Sequence, residues 1–95
     1  MASSLGYLNY VLDLLREVSN ITYKKMMGEY MLYKDGVLFG GVYDDRFLVK
    51  KTKSLIDSEL KEEIPYPGAK SMLLVDSENP DEIAELVVSI YKDLK

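Results

Sequence analysis

Hydrophobic and polar positions alternate most clearly in residues 28–50, where three β-rich runs are separated by Asp35-Gly36 and Asp44-Asp45. Asp-Gly between β-rich flanks is a strong signal for a two-residue type I′ turn, which needs positive φ at both central residues. Asp44-Asp45 is a weaker signal of the same kind. This region predicts a three-stranded antiparallel meander.

Two-residue turns fix the register of these strands and therefore the face that each side chain occupies. In this register Tyr33 opposes Leu38, Leu32 opposes Phe39, and Gly41 opposes both Tyr30 and Leu48. One face then carries Met31, Tyr33, Leu38, Val42, Phe47 and Val49. The other face carries Tyr30, Leu32, Phe39, Tyr43 and Leu48.

An antiparallel sheet with one solvated face shows a clean alternation of apolar and polar side chains along each strand. Neither face of this meander is plainly polar, so each is expected to pack against another part of the chain or a partner. We assign the face with Met31, Leu38, Val42, Phe47 and Val49 to the core. The candidate partner surface on the other face comprises Tyr30, Leu32, Phe39 and Tyr43. The alternative is that a helix or residues 61–70 cover that face. A different length for the Asp44-Asp45 turn would exchange the two faces to which the side chains of the third strand are assigned.

Two glycines, Gly40 and Gly41, lie inside a predicted strand, where glycine costs about 0.5–1 kcal/mol relative to alanine. We interpret them as a bulge, a close backbone approach or space for the opposing side chains. They lack the Gly-Lys-Ser/Thr ending of a phosphate-binding loop.

Helical periodicity flanks the meander. Apolar residues at spacings of three and four predict a first helix over residues 5–18, with Ser3 or Ser4 as its N-cap. Asn79 followed by Pro80 predicts the start of a C-terminal helix. Residues 21–27 are expected to be extended, and a short edge strand is one form that fits them.

The remaining segments complete the predicted fold. Thr52 is expected to cap a short helix through Leu60, with Leu55 and Ile56 facing inward, and residues 72–75 form a buried strand. The order is α-β-β-β-α-β-α within a single domain, residues 1–95. The predicted class is α+β: a two-layer fold in which helices pack on an antiparallel sheet, made of the three-strand meander plus a later strand.

Composition narrows the possible functions. The 95 residues carry a net charge of −4 and contain no His, Cys or Trp. The missing His and Cys make transition-metal sites and Ser-His or Cys-His catalysis unexpected, so we predict no cofactor, no metal and no enzyme activity. The negative charge disfavours direct nucleic-acid binding. No apolar run is long enough to cross a membrane, so a cytoplasmic protein is expected.

One cluster of positive residues is a candidate binding site. Arg46, Lys50, Lys51 and Lys70 form the candidate anion patch. Cations beside the start of a helix can bind an anion. The alternative is a solvated cluster paired with nearby carboxylates such as Asp57.

Two segments, residues 27–50 and 65–74, resemble the TfoX N-terminal domain family. The likeness consists of Met, an aromatic or apolar residue and Gly before a strand, an Asp-Gly turn, and a third strand ending in Lys; Met27 stands where Phe is expected. The resemblance extends over nearly the whole chain and implies a secretion-chaperone-like sheet with helices on it. The resemblance implies no catalytic residues, and we expect no counterpart here of the helical second domain of the bacterial competence regulator that gives the family its name.

The resemblance and the two-sided sheet together favour a non-enzymatic regulatory or protein-interaction module, expected to bind a protein partner or itself as a homodimer. The alternative is a small-anion or nucleotide-binding protein that uses the candidate anion patch.

Overall fold

Six antiparallel strands and two helices form the structure, a computed structural model that describes residues 3–95. The helices are α1 (Leu5–Leu14) and α2 (Pro80–Leu94). The strands are β1 (Ile21–Met26), β2 (Glu29–Lys34), β3 (Val37–Val42), β4 (Phe47–Val49), β5 (Glu62–Glu63) and β6 (Met72–Leu74). They form one sheet in the order β1-β2-β3-β4-β6-β5. This confirms the α+β class with helices on an antiparallel sheet.

Both predicted turns have two residues. Asp35 and Gly36 have φ values of 48° and 81°, and Asp44 and Asp45 have values of 53° and 54°. Tyr43 and Arg46 close the second turn by exchanging backbone hydrogen bonds of 2.9 and 3.0 Å. The third strand of the meander therefore keeps the predicted register, in which Val42 pairs with Phe47.

Aspartate at two consecutive left-handed positions is strained, and hydrogen bonds from outside the hairpin offset that strain. The Asp45 carboxylate accepts from the Ser4 backbone N–H at 2.8 Å. The Asp44 N–H donates to the Glu29 carboxylate at 2.8 Å, and the Asp45 N–H donates to the Ser3 hydroxyl at 3.1 Å. The start of α1 is thereby fastened to the β3–β4 turn.

A β-bulge in β3 changes the predicted register of the first hairpin. Tyr33 pairs with Leu38 as predicted, but Leu32 pairs with Gly40, so Phe39 is an extra residue between the two pairs. A bulge shifts the in–out alternation by one position. Phe39 and Val42 therefore face the same side of the sheet, although strict alternation places them on opposite sides.

The assignment of the core face is corrected accordingly. Tyr30, Leu32 and Phe39 are only 5%, 0% and 0% exposed, and they pack in one cluster with both helices. Val42, Phe47 and Val49 belong to that cluster, as predicted. The prediction was wrong for Met31 and Leu38, which lie on the opposite face. Because of the bulge, Val42 pairs with Tyr30 and shares its face, so Met31 and Leu38 are on the other side of the sheet.

The two glycines mark both the bulge and a close approach. A Cβ on Gly40 would collide with the Leu48 carbonyl oxygen. A Cβ on Gly41 would lie 2.6 Å from the Tyr30 carbonyl oxygen and 2.8 Å from the Tyr43 ring. No side chain fits at either position without movement of the backbone.

The helix ends follow from their capping residues. Ser4 caps α1 by accepting from the Tyr7 N–H at 3.1 Å, and Asn79 caps α2 by accepting from the Asp81 N–H at 2.9 Å. After Leu14 the chain turns towards Asn20, which has a φ of 59°. Both helices were predicted, but α1 ends at Leu14 and not at residue 18. β1 is the edge strand suggested for residues 21–27.

The predicted helix over residues 52–60 is reduced to one 3₁₀ turn, Lys53–Leu55. Thr52 makes no cap; its hydroxyl donates instead to the Asp93 carboxylate at 2.7 Å. Leu55 packs on the core as expected, whereas Ile56 is 71% exposed. The predicted element order is therefore matched roughly: it lacks β5 and the edge strand β1, which was suggested separately, and its middle helix is shortened.

Candidate functional site

The face of the sheet opposite the helices forms an open groove of about 620 Å³. Four half-buried side chains form its floor: Met31, Tyr33, Leu38 and Met72. Tyr43 and Tyr66 line one wall, and Lys50, Lys51 and Lys70 line the rim. We call this region the open groove. It joins a large apolar area to concentrated positive charge.

The wall of the groove is built by the loop between β5 and β6. Pro65 and Pro67 exclude helix there, and Gly68 has a φ of 88°, as a type II turn after proline requires. The Ala69 N–H donates to the Tyr66 carbonyl oxygen at 3.1 Å. This turn holds the Tyr66 ring with its centroid 6.3 Å from that of Tyr43.

The Tyr43 hydroxyl lies at the groove and donates its hydrogen bond to a weak acceptor. The side chain is almost fully buried, and its hydroxyl donates to the Met31 sulfur at 3.2 Å. Thioether sulfur is a weak acceptor. Burial, with smaller contributions from Tyr66 and Glu29, raises the pKa of Tyr43 above its ordinary value of 10.0. The phenol therefore stays protonated at neutral pH and can donate a hydrogen bond to a ligand.

The three groove lysines differ in how their charge is compensated. The Lys51 ammonium lies 3.3 Å from the Glu62 carboxylate in an exposed ion pair. The Ser71 hydroxyl and Lys51 together lower the pKa of Glu62 below its ordinary value of 4.5. For Lys50 and Lys70, no carboxylate of residues 3–95 lies within ion-pair distance. The charge of these two lysines is therefore available to a ligand.

Arg46, the fourth residue of the candidate anion patch, does not line the open groove. Its guanidinium lies 2.7 Å from the Glu63 carboxylate and also donates to the Ile64 carbonyl oxygen at 3.2 Å. Hydrogen bonds from Arg46 and Lys61 lower the pKa of Glu63 below 4.5. The structure thus brings three of the four predicted cations together, and Arg46 holds the base of the loop.

The candidate partner surface is also rearranged. Tyr30, Leu32 and Phe39 belong to the core under the helices and do not form a surface, whereas Tyr43 lies in the groove. Sequence reasoning missed Met31 and Leu38 as groove residues. The glycine pair was the available signal, because a bulge at that point exchanges the two faces.

The side chains that line the groove are apolar residues, tyrosines, lysines and one serine. Among residues 3–95, no cluster of three or more His, Cys, Asp or Glu side chains is placed to hold a metal ion. No helix in that range is long and apolar enough to cross a membrane. The three lysine ammonium groups that line the groove can only donate hydrogen bonds, and the floor of the groove is largely apolar.

An open-faced antiparallel sheet with helices on its other side is the class of structure that this chain defines. The family model for the TfoX N-terminal domain matches residues 13–87, so the chain belongs to that family. A relative from Spirochaeta aurantia, described as "Uncharacterized 12.7 kDa protein in trpE 5'region", is 35% identical over 78 residues. The alignment covers 80% of this chain and 68% of that protein.

Proposed function

We propose that this protein is a non-enzymatic regulatory or interaction module that binds a partner protein in the open groove. The observation that carries the proposal is the half-buried apolar floor of Met31, Tyr33, Leu38 and Met72. Exposed apolar patches bordered by polar residues mark interaction sites in soluble proteins. Membership in the TfoX N-terminal domain family supports a regulatory or interaction role of this kind.

Burial of this floor supplies the driving force for binding. Apolar surface gains about 25 cal/mol for each Å² removed from water. The floor lies on β2, β3 and β6, which are paired within the sheet, so the backbone beneath it is already ordered. A preorganised surface loses less conformational entropy on binding than a mobile loop would.

The groove chemistry supports a binding role over a catalytic one. General acid–base catalysis needs a group whose pKa lies near the working pH. Burial raises the pKa of the Tyr43 phenol, so this group remains protonated at neutral pH. We place this binding role in the cytoplasm, with which the absence of cysteine is compatible.

The test compares the wild type with two variants that each add one carboxylate. Leu38→Glu places a charge in the floor of the groove, and Ile56→Glu places one at an exposed apolar position outside it. We expect the wild type and Ile56→Glu to retain the same specific protein from a lysate of the native host, and Leu38→Glu to lose it. Photocrosslinking from position 38 should join that protein to the groove.

Circular dichroism and urea unfolding must show that both variants are folded. Retention of the partner by Leu38→Glu at the wild-type level would refute the proposed site. Failure of a photocrosslinker at position 38 to join the retained protein would refute it equally.

A second candidate function is favoured by the convergence of Lys50, Lys51 and Lys70, namely the binding of a small anion or nucleotide. Thermal shift measurements with a panel of anionic metabolites test this role. Stabilisation that Lys50→Gln and Lys70→Gln both remove would support it. Flat responses across the panel would eliminate it.

A further inference from the structure

We infer that the open groove binds an acidic segment of a partner protein, in which carboxylates flank one or two large apolar side chains. This inference rests on the proposed function and adds the chemistry of the partner. Three features carry it: the hydrogen-bond donors that lack a strong acceptor, the distribution of charge over the chain, and the adaptable floor.

The strongest polar groups of the groove all donate. Lys50 and Lys70 present ammonium groups without a carboxylate partner in the described part of the chain, and Tyr43 presents a phenol held only by a thioether. Ser71 also lines the groove, but its hydroxyl already donates to Glu62 at 2.8 Å. A segment that satisfies these groups must bring acceptors, and carboxylates form the strongest hydrogen bonds with ammonium groups.

The charge of the chain is unevenly distributed. The net charge is −4, yet three lysines border the groove. On the helical side of the sheet, Asp81, Glu82 and Glu85 are exposed along α2. Complementary potentials favour the encounter of an acidic segment with the groove and disfavour a basic one. The acidic α2 surface would repel the same segment, so the charge distribution selects the groove.

The floor of the groove suits a large apolar anchor. Met26, Met31 and Met72 all line the groove. Methionine is unbranched and polarisable, so such surfaces adapt to different apolar side chains. Tyr43 and Tyr66 add aromatic walls. The volume of about 620 Å³ lies within the range of about 300–1,000 Å³ that is typical of ligand pockets.

A second copy of this chain is a poorer occupant. The apolar residues beside the acidic positions of α2, Ile83 and Val87, are buried in the copy's own core and cannot serve as anchors. The exposed segment at residues 56–59 does combine Ile56 with Asp57 and Glu59. Its insertion into a neighbouring groove would be a heterologous contact, which leads to rings or open filaments and not to a closed two-fold dimer.

The experiment measures binding of three synthetic peptides that share a central Leu-Phe pair and differ in their flanking residues, which are Glu, Gln or Lys. The proteins are the wild type, the groove variant Lys50→Glu/Lys70→Glu and the control variant Lys25→Glu/Lys92→Glu. The control reverses two exposed lysines that do not line the groove. Fluorescence anisotropy gives the affinities.

We expect the wild type and the control variant to bind the Glu peptide at least about tenfold more tightly than the Gln peptide. This preference should shrink between about 50 and about 300 mM salt, because screening weakens exposed charge pairs. The groove variant should prefer the Lys peptide. Leu38→Glu should weaken binding of all three peptides.

Equal binding of the three peptides, or an unchanged preference in the groove variant, would overturn the inference that the groove binds an acidic segment. The proposed function would survive that result if Leu38→Glu still abolished capture of the partner. Tighter binding of decanoate or adenosine monophosphate than of the Glu peptide would show that the groove binds a small anion. A concentration-dependent increase of mass in light scattering, lost in both Leu38→Glu and Ile56→Glu, would assign it to a second copy. Each of these two results would overturn the inference.

Discussion

The two faces of this sheet differ in burial although both are rich in apolar residues. On the helix side, Leu32 and Phe39 are fully buried. On the groove side, their neighbours Met31 and Leu38 remain partly exposed. Adjacent residues of the same two strands thus have different roles, because α1 and α2 both pack on one face. Apolar character alone therefore does not identify the core face of a two-sided sheet.

The residue types on the two faces also differ. The helix side is closed by Phe and branched aliphatic residues, which pack with well-defined rotamers. The groove side carries flexible Met residues, Tyr rings and a lysine border. The first composition suits a permanent core, and the second suits a surface that contacts a separate molecule. Four variants test this comparison, two more test the β3–β4 turn, and a seventh with a pH titration tests a separate contact of α2.

The largest contrast is expected between Phe39→Ala and Leu38→Ala. Phe39→Ala should lower the free energy of unfolding by about 3–5 kcal/mol, because it leaves a cavity in the core. Leu38→Ala should lower it by about 1 kcal/mol, since its side chain is only partly buried. Urea denaturation of both variants gives the two values. Equal losses would show that the faces are not distinct in the folded protein.

The close approach at Gly41 is tested by Gly41→Ala. The new Cβ would meet the Tyr30 carbonyl oxygen and the Tyr43 ring, so we expect a loss of about 1–3 kcal/mol in unfolding free energy. Gly6→Ala is the matched control, because no atom lies within 4 Å of its Cβ position on α1. That variant should be stabilised by about 0.5–1 kcal/mol. Thermal unfolding in which both variants gain stability would contradict the tight packing at Gly41.

The β3–β4 turn should respond differently to glycine at its two positions. Asp44→Gly should stabilise the protein by about 0.5 kcal/mol, because glycine removes the strain of a left-handed aspartate. The substitution removes no hydrogen bond of the Asp44 carboxylate, and the backbone N–H that donates to Glu29 stays. Asp45→Gly relieves similar strain but removes the carboxylate that accepts from the Ser4 N–H. We expect it to cost about 1 kcal/mol in urea unfolding. A stabilised Asp45→Gly variant would show that the contact with α1 contributes little.

The smallest expected effect is a pH dependence at Asp93. Hydrogen bonds from the Thr52 hydroxyl, the Ser54 N–H and the Ser54 hydroxyl lower the pKa of Asp93 below its ordinary value of 3.8. A depressed folded-state pKa gives stability that is present above the unfolded pKa and is lost as the pH falls through the folded pKa. Below about pH 4, the unfolding midpoint should therefore decrease more steeply with falling pH in the wild type than in Asp93→Asn. Parallel slopes would contradict this linkage.

Local chemistry made much of the fold predictable. Asp35-Gly36 indicated its turn because both positions need positive φ, and Asn79 with Pro80 indicated the start of α2. The glycine pair correctly indicated a bulge or a close approach. These features depend on residues that are near one another in the chain, so a single sequence is sufficient to reveal them.

The candidate site was less predictable because its composition depends on one inserted residue. Phe39 is the bulged position, and its insertion places Leu32 in the core and Leu38 in the groove. The local sequence was compatible with the bulge but did not give its exact position. The cations show a similar limit, since Arg46 pairs with Glu63, which lies 17 positions away in the sequence.

The sequence by itself determined the α+β class, the family, the turns of the meander and both long helices, because periodicity and capping chemistry are local. Only the tertiary structure decided which face of the sheet became the core. That choice depends on where the bulge falls and on the side where α1 and α2 pack, and each face carries enough apolar surface to serve. The groove exists because the helices cover one face and leave the other open.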